Sequence, residues 1–395
     1  MPQLLEDPNV KVKSGIFKFG IPPRALRDDL NIASQPIPRS KFQVVHPILA
    51  CVRIQCEDES VTLRATDMQT YVRIIEKAEI FTAGECCVNA AIFGKIVDSF
   101  ASRDHMTMEC VDEATRDVIM RAGSSRYHIG ALNAEEYPEW PEIELENAKF
   151  HCEFPEHWLR NAIRTVAYAC GTDELRPVLR NILFRFEDGL LTLVATDTHR
   201  LAVSKIRIEG LIGTASCTVP RSSILTLSKM FSPGGGPVIM EADGQTIRFL
   251  LSRGEIMARL YDGAFPNFER VIPVNPTKCI AFQRDALLEA VKRLGNVADD
   301  SRRLIISIPD RERIVISTSS SNGGGEESVT VGEMMMEEED FTQYRMAFNY
   351  RYLIDALSAI GSQKVILRLS EPLKPCILEG EASEDRHILM PMQVI

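Results

Sequence analysis

Within "LLTLVATDTHRLAVS", residues 190–204, Asp197, His199 and Arg200 stand within four positions of one another. An Asp beside a His suggests acid–base or nucleophilic catalysis, in which a carboxylate orients an imidazole that takes a proton from Ser or Cys. No GxSxG elbow presents such a nucleophile, and no Walker loop or GxGxxG is found. "PGGGP" at Pro233 to Pro237 lacks a following Lys-Ser/Thr and predicts a loop. "SSSNGGGEESV" predicts a flexible turn between strands, and "EMMMEEED" (Glu333 to Asp340) a solvated loop or strand end with its methionines mainly in the core. The ten cysteines form no CxxC pair, and the histidines do not cluster at zinc-site spacing. We expect reduced, mostly buried thiols, no metal and no cofactor.

An internal repeat bears directly on Asp197. "VTLRATDMQTYVRI" at Val61 to Ile74 lines up with "LTLVATDTHRLAVS" at Leu191 to Ser204, the ATD triplets lying 130 residues apart. Upstream, "HPILACVRIQCED" matches "RPVLRNILFRFEDG", and "RLIISIPDRERIVISTSSSNGGGEES" is a degraded third copy with STS for ATD. Asp67 persists in the first copy, whereas His199 and Arg200 have no counterparts there. Asp67 and Asp197 therefore read as turn residues whose carboxylates accept backbone N–H groups. His199 and Arg200 are left as either a solvated turn or part of a binding surface.

The elements around these motifs repeat as well. Apolar residues recur at helical spacing over 23–33, 92–103, 158–170, 221–231, 284–297 and 351–360, each stretch following a strand pattern. Paired strands follow every second helix. The expected class is α+β, three similar modules of antiparallel sheet carrying helices on one face. The connectors "NAEEYPEWPEIELENAK" and "DGAFPNFERVIPVNPTK" place the domains at 1–148, 149–277 and 278–395, the first with a short, poorly ordered N-terminal tail. No apolar run approaches a membrane span and no secretory signal is recognisable, so a cytoplasmic protein is expected.

The formal net charge of −10 argues against indiscriminate nucleic-acid binding. Yet the six helical stretches carry twelve basic and six acidic residues, leaving −16 on the rest of the chain. Arg160 and Arg164 stand at i and i+4 on one helical face in a stretch without acids. A cationic face within an acidic exterior would hold a polyanion in one place and repel it elsewhere, and phosphate contacts carry no sequence information.

"RPVLRNILFRFEDGLLTLVATDTHRLAV", "YDGAFPNFERVIP", "FNYRYLIDAL" and the terminal "HILMPMQVI" resemble the bacterial DNA polymerase III β sliding-clamp family over nearly the whole chain, from about Ser14 to Ile395. The resemblance implies the DNA clamp fold: three similar domains per chain, sheets outside and helices lining a central hole, and a head-to-tail homodimeric ring of six domains. It implies a non-enzymatic processivity factor that encircles double-stranded DNA without sequence preference. The implied partners are the polymerase III α subunit, the clamp loader, other DNA polymerases and repair proteins, all bound through short linear motifs.

Carried over from the family, a peptide groove between the second and third domains would have an apolar wall of Leu179, Leu201, Pro266, Val271, Pro391 and Met392. Thr196, Thr198, His199 and Arg200 would form its polar rim, with Arg176, Asn349, Tyr352, Pro375, Ile388 and Met390 lining it further. The DNA-facing residues would be Arg24, Lys95, Arg160, Arg164 and Arg221, with Lys41 a further candidate. The subunit seam would use "SSRYHIGAL", with Tyr127 and Ile129 on one face, and Val297 of the third domain. The chain departs from the family pattern at Ala91, Ile92 and Ser222, where basic residues are common, and at Gln393 in a tail one residue longer than usual. Two other readings stay open: a repeat scaffold that binds peptides without enclosing DNA, and a hydrolase using Asp197 and His199.

Overall fold

The computed structural model describes residues 15–38, 46–112, 114–143, 148–209, 213–320, 323–335 and 344–394. The N-terminal tail and Lys41 lie outside the described residues. The first module supplies β1 (Phe17–Ile21), α1 (Pro23–Ala33), β2 (Cys51–Glu57), β3 (Ser60–Thr66), β4 (Thr70–Lys77), β5 (Glu79–Thr82), β6 (Gly84–Asn89), α2 (Ala90–Ser99), β7 (Met106–Cys110), β8 (Asp117–Ala122) and β9 (Ser125–Leu132). The second supplies β10 (Phe150–Pro155), α3 (Glu156–Val166), β11 (Asn181–Glu187), β12 (Leu190–Thr196), β13 (Arg200–Arg207), β14 (Thr214–Pro220), α4 (Arg221–Met230), β15 (Pro237–Ala242), β16 (Thr246–Leu251) and β17 (Gly254–Arg259). The third supplies β18 (Lys278–Gln283), α5 (Arg284–Gly295), β19 (Arg303–Ser307), β20 (Arg313–Ser320), β21 (Gly323–Met335), β22 (Arg345–Asn349), α6 (Tyr350–Ala359), β23 (Lys364–Leu369), β24 (Cys376–Gly380) and β25 (Arg386–Leu389).

All six expected helices are present, and two of them carry asparagine N-caps. Asn89 caps α2 by accepting from the Ile92 N–H at 3.1 Å, and Asn349 caps α6 by accepting from Arg351 N–H at 3.0 Å. Pro23 starts α1, where a missing N–H costs nothing. The apolar stripes face inward: Leu26, Leu30, Phe93 and Val97 are buried, as are Leu287, Val291, Leu294, Leu353 and Leu357.

The chain forms two compact units, residues 1–157 with 222–260 and residues 158–221 with 261–395. One antiparallel sheet runs through each. The first has the order β10-β15-β16-β17-β4-β3-β2-β6-β9-β8-β7-β1-β5, the second β14-β11-β12-β13-β25-β24-β23-β18-β21-β20-β19-β22. The strands of the middle module are thus shared between two sheets. This follows from edge pairing: β17 pairs with β4 from Gly254↔Ile74 to Ala258↔Thr70, and β13 pairs with β25 from Arg200↔Leu389 to Val203↔Arg386. Pairing satisfies backbone groups that an exposed edge would leave open. At Gly254 φ is +148°, and a Cβ would fall 2.0 Å from the Arg73 carbonyl oxygen, so only glycine fits that seam.

Two expectations from the sequence need correction. Gly323, Gly324 and Gly325 belong to β21 and pair with Ser320, Ser319 and Thr318; they do not form the turn. A Cβ at 324 would fall 2.7 Å from the Thr318 carbonyl oxygen, and one at 325 would press on Leu294 Cδ2 at 3.0 Å, where α5 packs on the strand. Of the methionine run, Met334 pairs with Ile280 and packs on the core, but Met335 is 73% exposed, and residues 336–340 lie outside the described residues. Strand alternation explains the difference, since successive side chains face opposite ways. The loop at "PGGGP" is a loop as expected: Gly235 packs on the buried Glu156 carboxylate, which accepts from Ser232 N–H at 2.8 Å.

Candidate functional site

The β12–β13 turn is built by its own side chains. Asp197 Oδ1 accepts from the His199 N–H at 2.9 Å and the Arg200 N–H at 3.0 Å, and Thr196 Oγ1 accepts from Thr198 N–H at 3.2 Å. The β3–β4 turn repeats this: Asp67 Oδ1 accepts from Gln69 and Thr70 N–H at 3.0 and 2.7 Å, and Thr66 Oγ1 from Met68 N–H at 2.8 Å. Thr198 and Met68 occupy the same left-handed position, with φ of +78° and +71°. For a β-branched threonine that conformation is strained. Asp197 Oδ2 accepts from Arg200 Nε at 2.9 Å, and the His199 ring stacks on Tyr352 with centroids 6.2 Å apart. Both carboxylate oxygens are therefore engaged, and the imidazole faces an aromatic ring. This is turn and surface geometry, without a catalytic dyad.

Arg200 is the keystone beneath that turn. Its guanidinium donates to Asp197 and, at 2.5 Å, to Asp355 of α6. It also lies over the rings of Tyr168, 5.1 Å away, and Tyr352, 4.5 Å away. Burial opposes its charge, but the hydrogen bond to Asp355 and the nearby Asp197 carboxylate prevail and hold its pKa above the ordinary value. On the far side of Tyr168, the phenol lies 2.8 Å from Nδ1 of the buried His387. Burial pushes the imidazole down to about 4, so it is neutral and accepts from the phenol.

An apolar cavity of about 190 Å³ opens beside this stack. Its lining includes Leu179, Thr196, Thr198, Arg200, Leu201, Pro266, Val271, Ile388 and Met390, nine of the sixteen residues expected in the groove, together with Asn267 and Phe268. The connector after β17 forms one wall, because Phe265, Phe268 and Ile272 pack against Leu183, Val194, Leu201, Val203, Ile377 and Ile388. Opposite it the C-terminal tail is tied down twice. Met390 N–H donates to the His199 carbonyl at 2.9 Å, and Met392 N–H to the Ala347 carbonyl at 2.7 Å.

The remaining candidates sit around the cavity. Arg176 NH1 reaches Thr198 Oγ1 at 3.4 Å, and Tyr352 carries Arg200. Pro375 lines a neighbouring open cavity of about 530 Å³ that also includes Val271. Asn349 caps α6, and Pro391 and Met392 continue the tail, half-buried. Sequence reading missed the floor, Tyr168, Asp355 and His387, whose spacings from Arg200 carry no signal. Phe268 was legible in principle, as one of two aromatics three residues apart in an otherwise polar connector.

Arg24, Lys95, Arg160 and Arg164 are exposed; Arg24 Nε donates to the Ala101 carbonyl at 3.0 Å. Lys95, Arg160 and Arg164 make no ion pair among the described residues, whereas Lys292 and Arg293 on α5 are paired with Glu289 and Glu327. Arg221 is half-buried, its Nε donating to the Ala167 carbonyl at 3.3 Å. Asp29, counted among the helix acids, is fully buried beside Arg253; burial first, then Glu76, push its carboxyl up to about 7. On β9 Tyr127 is 41% exposed, edge-on to Phe100, while Ile129 is buried in its own unit. Only Ala131 and Leu132 of β9 pair with β6, so among the described residues the strand edge from Ser125 to Gly130 has no strand partner on that side. Val297, just beyond α5, is 44% exposed.

Among the described residues, no cluster of His, Cys, Asp and Glu is placed to hold a metal ion. The ten cysteines are free, nine of them buried, and burial pushes thiols such as Cys152 and Cys376 up to about 12. No described helix is long and apolar enough to cross a membrane.

Comparison with known proteins matches the chain to three successive family domains. Residues 17–141, 153–267 and 269–393 match, in turn, the N-terminal, central and C-terminal domains of the DNA polymerase III beta subunit. The beta sliding clamp of Halalkalibacterium halodurans is 26% identical over 361 residues, covering 88% of this chain and 92% of that one. That of Escherichia coli K12 is 25% identical over 352 residues, covering 88% and 93%. The fold matches the crystal structure of the Bacillus subtilis sliding clamp with a TM-score of 0.85 at 23% identity, over 96% of this chain and all of that one. A Pseudomonas aeruginosa sliding clamp bound to griselimycin matches equally, with a TM-score of 0.85 at 24% identity over 96% of this chain and 100% of the other. With its three domain matches following one another along nearly its whole length, this chain belongs to the DNA polymerase III beta subunit family.

Proposed function

We propose that this chain is the subunit of a DNA sliding clamp: it encircles duplex DNA, tethers DNA polymerase III and recruits partner proteins through short peptide segments. The observation that carries this reading is that Lys95 on α2 and Arg160 and Arg164 on α3 are exposed and make no ion pair among the described residues, in a chain of net charge −10. Such cations attract phosphates without reading bases, as sliding requires. Arg24 and Arg221 would contribute in the same way, Arg221 less because it is half-buried; the Nε of each already donates to a carbonyl.

The domains run over 1–148, 149–277 and 278–395, and two chains close head to tail into a six-domain ring whose helices line the hole. The open edge of β9 with Tyr127 meets the third domain of the partner subunit near Val297; Ile129 contributes backbone at that edge while its side chain stays inside. Closure covers this open stretch of β9. The apolar cavity bounded by Leu179, Leu201, Pro266, Val271, Ile388 and Met390 takes one or two anchoring side chains of a partner peptide. Thr196, Thr198, His199, Arg200 and Arg176 hold its backbone, and Asn349, Tyr352, Pro375, Pro391 and Met392 extend the groove. Peptides from the polymerase α subunit, the clamp loader, other polymerases and repair proteins would compete for it, in the cytoplasm.

The test is topological. The protein is loaded on nicked circular DNA and the DNA is then cut. Retention on the circle with release on linearisation is expected. Equal retention on both forms would leave a peptide-binding scaffold, and peptide hydrolysis abolished by His199→Ala would restore the hydrolase.

A further inference from the structure

The groove cavity has a counterpart in the first unit, placed by the same strand register. Leu201 pairs with Ile388 as Tyr71 pairs with Met257, and Thr196 pairs with Leu201 as Thr66 pairs with Tyr71. The connectors agree too: "FPNFERV" at Phe265 to Val271 corresponds to "YPEWPEI" at Tyr137 to Ile143, so Trp140 stands where Phe268 stands. The turn residue at positive φ is Met68 in one copy and Thr198 in the other.

At each of these positions the first unit carries the bulkier or longer side chain: Tyr71 for Leu201, Trp140 for Phe268, Met257 for Ile388, Met68 for Thr198. These groups pack together. Tyr71, Trp140, Ile143 and Met257 form one buried cluster, Tyr71 meets Trp140 edge-on with centroids 5.6 Å apart, and the Tyr71 hydroxyl lies 4.0 Å from Met68 Sδ. The sheet beneath differs in kind. Where the second unit has Leu183, Val194 and Val203 in register, the first has Arg53, Arg64 and Arg73; Arg53 pairs with Glu85, Arg73 pairs with Glu255, and Arg73 lies against the Trp140 ring.

We propose that the first unit holds a second, latent ligand pocket, the twin of the groove cavity, occupied by the chain's own Trp140 and Tyr71. The ligand class it would admit once emptied is a flat aromatic molecule of indole size. This inference does not depend on what the second-unit cavity binds.

The experiment transplants the second unit's residues into the first. Tyr71→Leu with Trp140→Phe is titrated with indole by calorimetry beside the unaltered chain, and melting is followed with and without indole. Expected are one more indole site per chain than the unaltered protein has, and a melting temperature lowered by the substitutions and partly restored by indole. Should the double variant not fold, Trp140→Leu is titrated with benzene, which fits the smaller space left. An unchanged number of sites in the variant that folds overturns the proposal.

Discussion

The Arg200 guanidinium lies 4.5 Å from the centre of the Tyr352 ring and 5.1 Å from that of Tyr168. A cation held by two aromatic rings and two carboxylates, Asp197 and Asp355, is a preorganised wall for the cavity beside it. Arg200→Ala leaves Asp197 and the rings without their partner, and we expect a loss of about 2–3 kcal/mol in denaturant unfolding. Arg200→Lys recovers less than half of this, because an ammonium cannot stack and bridge two carboxylates at once. Asp355→Asn, at a half-exposed position, costs below about 1 kcal/mol.

His387 makes stability depend on pH. Its imidazole titrates near 6.5 in an unfolded chain but is pushed down to about 4 by burial. As pH falls from about 6.5 to about 4, the unfolded chain takes up a proton that the folded protein refuses, so stability declines through that window, by at most about 3 kcal/mol. Above pH 6.5 the contribution is complete. Urea midpoints between pH 4 and 8 should show this slope, and His387→Gln should flatten it while keeping a polar partner for Tyr168.

Gly254 tests the seam between the first two modules. Alanine there would place its Cβ 2.0 Å from the Arg73 carbonyl at a φ of +148°. We expect Gly254→Ala to cost more than about 3 kcal/mol and to increase hydrogen exchange along β17 and β4. Gly130→Ala, with open space around it, should stay within about 0.5 kcal/mol. Equal effects at the two positions would count against the seam.

The cationic face is separable from stability. Arg160→Ala with Arg164→Ala removes two exposed charges without partners, so the melting temperature should hold. The log–log salt dependence of DNA association should flatten by about 2. An unchanged slope places the DNA elsewhere.

The seam between subunits is tested by mass. Tyr127→Glu with Val297→Asp adds like charges at the proposed contact, and sedimentation should show the species of twice the chain mass shifting toward the single chain. A dimer unaffected by both changes would put the contact on another surface.

What the sequence determined was local and periodic. The six helices rest on spacing within a few residues, and the turn role of Asp67 and Asp197 on a motif that recurs 130 residues on; the structure has both. The match of "YPEWPEI" to "FPNFERV" was also present in the sequence, but its meaning depends on what packs against it. The glycines of β21 were misread because glycine tracts signal turns when the paired strand and the neighbouring helix are unknown; Gly324 faces the Thr318 carbonyl and Gly325 faces Leu294. Only the tertiary structure decided that the middle module is shared between two sheets, and that residues 168, 200, 352, 355 and 387 form one stack. Pairing of β13 with β25 brings together segments more than 180 residues apart. Such contacts are selected by the burial of whole faces and the satisfaction of strand edges, and no short spacing in the chain encodes them.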